Sequence, residues 1–89
     1  MKLKKGFVLR EVFGEKVILG EGIDAVNFGK LLALNETAAY MWEMASKMGD
    51  FTVEALAEGL CKEYDVTPEV AHRDVTAILE EWRQLGVAE

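Results

Sequence analysis

The sequence predicts an α+β domain in which three antiparallel strands come first and three helices follow. Two patterns and one length carry that expectation. Residues 7–34 consist of short apolar runs separated by Gly and Asn. Residues 35–86 hold three apolar stripes at 3–4 residue spacing, each opened by a capping residue. Strands and helices segregated along a chain pack as an α+β domain rather than as alternating βαβ units. At 89 residues the chain is one domain, residues 1–89. A chain of this length buries about 60–65% of its extended surface, so its core is one thin layer of side chains.

The strand half, about residues 6–34, begins with Phe7 to Phe13, rich in Phe, Val and Leu. Gly14-Glu15 then offers a two-residue connection with Gly at the first turn position, which suits a type II′ hairpin. Lys16-Val17-Ile18-Leu19 is the return strand and ends at Gly20-Glu21-Gly22. A loop runs through Asp24, Asn27 and Gly29. The run Lys30-Leu31-Leu32-Ala33-Leu34, bounded by Gly29 and Asn35, is read as the third strand, although its periodicity alone does not separate it from a helix start.

The helical half has three punctuated segments, about 35–48, 52–64 and 67–86. Asn35 caps the first, with Glu36 placed where the positive end of the helix dipole favours an acid. Its stripe is Ala38, Met41, Trp42, Ala45 and Met48, and Gly49-Asp50 ends it. Thr52 caps the second, with Phe51 before it and Leu56 after it at hydrophobic-staple positions. Its stripe is Leu56, Ala57, Leu60, Cys61 and Tyr64. Thr67-Pro68 opens the third, because proline at the first helical position gives up an N–H that has no partner there anyway. Ala71, Val75, Ile78, Leu79, Trp82 and Leu85 form the third stripe, and Gly86 is its stop. Three short helices with one small sheet is the arrangement of a winged helix-turn-helix, here with the strands leading.

Composition narrows the function. The chain is 51% hydrophobic and 29% charged, which is globular rather than disordered. The net charge of −6 argues against a polyanion as main partner, so no nucleic acid is expected. The charge is uneven: up to residue 16 there are five basic and two acidic residues, net +3, and the remainder carries five and fourteen, net −9. Cys61 is alone, which excludes an internal disulfide and fits a reducing cytoplasm. Phe7-Val8-Leu9 is too short for a signal-peptide core, and no apolar run approaches the roughly 20 residues of a membrane span. The expected location is therefore the cytoplasm, with no membrane partner.

The residues that catalysis needs are scarce. There is one His (His72), one Cys (Cys61) and one Ser (Ser46). Cys61 lies on an apolar stripe and reads as an inert core residue, and His72 lies beside a stripe and reads as a partly exposed surface residue. Zinc needs three or four nitrogen or sulfur ligands, more than the chain supplies. No Gly-rich phosphate loop is present, because nothing helical or basic follows Gly20 and Gly22 at the right place. Trp42 and Trp82 both sit on stripes and read as core. The chain is expected to be no enzyme and to carry no cofactor or metal.

Several segments together resemble a known family. They are Gly6-Phe7-Val8-Leu9-Arg10, then Leu34-Asn35-Glu36-Thr37-Ala38-Ala39-Tyr40-Met41-Trp42-Glu43, then Glu63-Tyr64-Asp65-Val66, and finally Arg73-Asp74-Val75 with Leu85-Gly86-Val87. Over nearly the whole chain this resembles the coenzyme PQQ synthesis protein D (PqqD) family, with the Leu-Asn-Glu-Thr-Ala…Trp-Glu segment the most specific part. The loop from Gly20 to Lys30 does not match residue by residue.

The resemblance implies a non-catalytic peptide chaperone, the stand-alone recognition element of ribosomally made, post-translationally modified peptides. Such proteins bind the leader of a precursor peptide and bring it to a radical S-adenosylmethionine maturase carrying iron–sulfur clusters. The leader binds as an added strand between the third strand and the third helix. Here that would involve Lys30, Leu31, Leu32, Ala33 and Leu34 as the strand edge. Val70, Arg73, Asp74, Ala77, Ile78 and Glu81, a row at 3–4 residue spacing, would form the helical wall. The family is broad, and many members serve maturases unrelated to the PQQ cofactor. Two other readings remain open on the residues alone. One is an interaction or dimerisation module whose third strand pairs with its twin, leaving the chain a monomer or weak homodimer. The other is a winged-helix nucleic-acid-binding regulator, disfavoured because the third helix sets Arg73 and Arg83 against Glu69, Asp74, Glu80 and Glu81, net −2.

Overall fold

A computed structural model describes residues 1–20 and 32–89. The elements are β1 (Phe7–Val12), β2 (Glu15–Gly20), β3 (Leu32–Leu34), α1 (Glu36–Met48), α2 (Val53–Glu63) and α3 (Pro68–Leu85). The sheet is antiparallel in the order β1-β2-β3, so the α+β order expected from the sequence is the one observed. Lys30 and Leu31, expected to open the third strand, lie outside the described residues.

The hairpin turn differs from expectation by one residue. Val12 pairs with Glu15, so the connection is Phe13-Gly14 and not Gly14-Glu15. Both connecting residues have positive φ, 51° at Phe13 and 81° at Gly14. Two positive φ values make a type I′ turn, not the expected II′. In this register Leu9 lies directly opposite Ile18, and both reach the core.

The helix caps form as the sequence indicates. Asn35 Oδ1 accepts from the Ala38 amide at 2.8 Å, Thr52 Oγ1 from Ala55 at 3.1 Å, and Thr67 Oγ1 from Val70 at 3.2 Å. Phe51 and Leu56, the staple pair, are both buried. Gly86 takes the left-handed conformation that ends α3, at φ 83°.

Ile18 of β2, Met41 and Trp42 of α1, Leu56 and Leu60 of α2, and Val75, Leu79 and Trp82 of α3 form one buried cluster. Trp42 and Trp82 meet edge to face with centroids 5.1 Å apart, tying α1 to α3. Five stripe residues fall short of full burial, with Tyr64 and Ile78 half-buried beside the three that follow. Met48 and Leu85, at the last positions of their helices, are exposed because the stripe runs past the packed partner. Cys61 is half-buried at the rim of the cluster instead of inside it.

Residues 1–4 have a role that no sequence pattern announces. Lys2 and Glu89 exchange two backbone hydrogen bonds of 2.8 Å, and the Lys4 amide donates to the Val87 carbonyl at 2.9 Å. On the other side, the Phe51 amide donates to the Met1 carbonyl at 2.6 Å. The N-terminal segment is thus a strap between the start of α2 and the chain beyond α3. Among the described residues no helix is long and apolar enough to cross a membrane.

Candidate functional site

β3 is the edge of the described sheet. It pairs with β2 through Ile18↔Leu32, Val17↔Ala33 and Lys16↔Leu34, and no other described strand joins its second edge. Leu32 and Leu34 are half-buried and pack against the core, while Ala33 is exposed. Alternation thus fixes the strand by two side chains and presents its backbone. An edge of this kind carries N–H and C=O groups that another chain can complete.

β3 leads through Asn35 into the first turn of α1, and residues of that turn border two separate depressions. One is open, about 460 Å³, and bordered by Lys16, Ala33, Leu34 and Glu36. The other is a hollow of about 100 Å³. Its floor is Leu60 and Ala71, both buried, and its sides are Thr37, Tyr64, Val66 and Asp74. Three helices contribute to it: the start of α1, the end of α2 and the first half of α3. Tyr64 is held by an edge-to-face contact with Tyr40, centroids 5.7 Å apart.

The expected residues fall as follows. Leu32, Ala33 and Leu34 form the edge strand. On α3, Val70 and Ile78 are half-buried, and Arg73, Asp74, Ala77 and Glu81 are exposed. Asp74 is brought to the hollow opposite Thr37. Ile78 packs against the core, and Arg73, Ala77 and Glu81 share the exposed flank with Asp74. The hollow itself was missed. Of its lining, Asp74 was expected on the helical wall, and Tyr64 carried a signal as an aromatic with a polar tip at the end of a stripe.

The corner is acidic. Burial first, then the carboxylates of Glu36, Glu63 and Glu43, push the Tyr64 phenol above its ordinary value. Arg73 leans on Asp74 with its Nε 3.8 Å from the carboxylate. Further along α3, Arg83 holds Glu80 at 2.7 Å, and that pair draws the Glu80 carboxyl below its ordinary value. Both α3 guanidiniums are therefore turned to carboxylates of their own helix, a poor start for gripping phosphates.

Cys61 and His72 line a different depression, of about 310 Å³, with Glu54, Ala57 and Glu58 between α2 and α3. Among the described residues no group of three or more His, Cys, Asp or Glu is placed to hold a metal ion.

A family model described as coenzyme PQQ synthesis protein D (PqqD) matches residues 15–88, from the first residue of β2 to the segment after α3. The chain belongs to the PqqD family. No curated protein matches this PqqD chain. Two solved structures share its fold. "TbiB1 in Complex with the TbiA(beta) Leader Peptide" superposes with a TM-score of 0.80 at 20% identity, over 100% of the PqqD chain and 95% of the other. "Lasso peptide synthetase B1 complexed with the leader peptide" superposes with a TM-score of 0.77 at 23% identity, over 99% and 95%. Identities this low speak for the fold of the PqqD chain.

Proposed function

We propose that this PqqD-family chain is a non-catalytic peptide chaperone. It binds the leader of a ribosomally made precursor as a strand added to the free edge of β3, and presents it to a radical S-adenosylmethionine maturase carrying iron–sulfur clusters. The observation that carries the reading is the second edge of β3, left without a described partner beside the first turn of α1. Family membership and the leader-bound titles of two like-folded proteins support it. Backbone pairing supplies sequence-tolerant affinity, and side-chain subsites on the flank of α3 supply selection. The scarcity of nucleophiles and bases, one Ser, one Cys and one His, supports a binding role over chemistry of its own.

The test uses synthetic peptides from the short reading frames beside this chain's gene, titrated calorimetrically into the full chain. One peptide should bind with a Kd of micromolar order. Single N-methylation along it should abolish binding at alternate residues, because only every second amide of an added strand faces β3. Ala77→Glu should weaken binding at least tenfold, since Ala77 is exposed on the α3 flank, and Glu keeps helix propensity. Ile78 is a poorer probe because it also packs against the core. Methylation effects without alternation, or full affinity in Ala77→Glu, would overturn the placement. Absence of any bound peptide, with sedimentation showing a dimer, would assign the β3 edge to a second copy instead.

A further inference from the structure

The hollow at Tyr64 carries more information than its position. Its floor, Leu60 and Ala71, is apolar and buried, and Val66 adds an apolar side. Among the described residues the Thr37 and Tyr64 side chains make no hydrogen bond, so their polar groups are open to a guest. The volume, about 100 Å³, holds one apolar side chain; an apolar cavity of about 150 Å³ takes up benzene.

Around this apolar floor carboxylates outnumber cations, although Arg73 lies beside Asp74 and Lys16 borders the open depression together with Glu36. Asp74 lines the hollow, and Glu36, Glu63 and Glu43 are close enough to act on the Tyr64 phenol. Of the described cations, Arg73 reaches Asp74, at 3.8 Å with 75% of its own side chain exposed, so its charge is largely in water. Lys62, one turn back on α2, points to Glu58 at 3.3 Å, on the border of the other depression. An acidic side chain entering here would meet four carboxylates. A basic one would be drawn in along the same field.

We infer that the Tyr64 hollow is the anchor subsite of the peptide groove, and that its occupant is a peptide carrying an apolar residue directly flanked by lysine or arginine. The apolar residue fills the floor between Leu60 and Ala71. The neighbouring cation stays at the rim with Glu36 and Asp74, which keeps its hydration while gaining two attractions. This assigns a substrate class to the groove and rests on the peptide-binding reading above.

The probe is a random fifteen-residue peptide library displayed on phage and selected against the full chain, followed by calorimetry on the enriched peptides. Enriched sequences should share an apolar–basic pair. Exchanging that Lys or Arg for Glu should weaken binding about tenfold or more. Glu36→Gln/Asp74→Asn, both surface changes, should weaken the basic peptide about fivefold and leave a neutral-flank version of it unchanged. Raising the salt to about 0.5 M should remove the same increment. Thr37→Phe, placed on the side of the hollow, should lower affinity for every enriched peptide, with circular dichroism verifying the fold. Enriched peptides whose binding responds to N-methylation at alternate residues, yet which lack the basic neighbour and ignore both salt and the double variant, would sink the charge inference and leave strand addition standing. No enrichment at all would sink both.

Discussion

Phe13 is the residue least at ease in its place. It is a fully exposed aromatic at a φ of 51°, in a turn type that favours Asn or Gly at that position. A bulky L-residue there costs roughly 1–2 kcal/mol relative to one that tolerates the left-handed region. No packing offsets this, because the ring touches water on all sides. Phe13→Asn should therefore raise stability by about 1 kcal/mol and lift Tm by about 4–8 °C, measured by thermal unfolding. An unchanged or lower Tm would mean that the turn is held by something other than its own torsions. The same turn shows a limit of sequence reading at this scale. Gly-X and X-Gly connections both contain the glycine, and Gly14 suits either. The observed register sets Leu9 directly opposite Ile18 against the core, whereas a Gly14-Glu15 connection would set Leu9 opposite Gly20 and lose that apolar pair. That pairing is a fact about two strands, not about the dipeptide.

At the scale of elements, helices were the most legible because their signals are local. Asn35, Thr52 and Thr67-Pro68 cap where their chemistry requires, and Gly86 stops α3 with positive φ. The spacing of helices against one another was not legible. Gly59 sits inside α2, where Gly is less favourable than Ala by about 1 kcal/mol. Its justification lies on another helix: a Cβ built at Gly59 would run into the thioether of Met44 on α1. The glycine leaves the space that the end of the Met44 side chain fills. Gly59→Leu separates the two influences. Helix propensity alone predicts a gain, whereas packing against Met44 predicts a loss of about 1–3 kcal/mol. The loss is the expected result, read as a lower urea midpoint at unchanged m-value. A gain would mean that the Met44 side chain swings aside and leaves helix propensity to decide. The hollow itself was illegible for a related reason. Its lining comes from positions 37, 60, 64, 66, 71 and 74, and no window of sequence contains that set.

At the scale of the whole molecule, the groove proposed here has two walls from distant parts of the chain, β3 before the helices and α3 after them. They stay in register through what lies behind them: the Trp42–Trp82 contact in the core and the strap of residues 1–4 at the far end of α3. The strap could not be read from Met1-Lys2-Leu3-Lys4, which has no strand periodicity and mixes charge with apolar residues. Its role arises only because the segment before β1 and the segment after α3 run side by side in the folded chain. Its amide–carbonyl hydrogen bonds with Phe51, Val87 and Glu89 number four, at 2.6–2.9 Å, and Leu3 packs on the core that includes the buried Val87 and Ala88. At about 0.5–1.5 kcal/mol net per bond, removing residues 1–4 should lower stability by about 3 kcal/mol and Tm by about 15 °C. The amides of Phe51 and Glu89 should change in hydrogen exchange from protection near the global value to rapid exchange. The two walls respond differently if the strap fixes α3. Deletion should raise exchange along the last turns of α3 and leave the β2–β3 pairing protected, so that the peptide loses its helical subsites before it loses its strand. Equal loss of protection in β3 and α3 would show instead that the strap supports the domain as one cooperative unit and not the helical wall in particular.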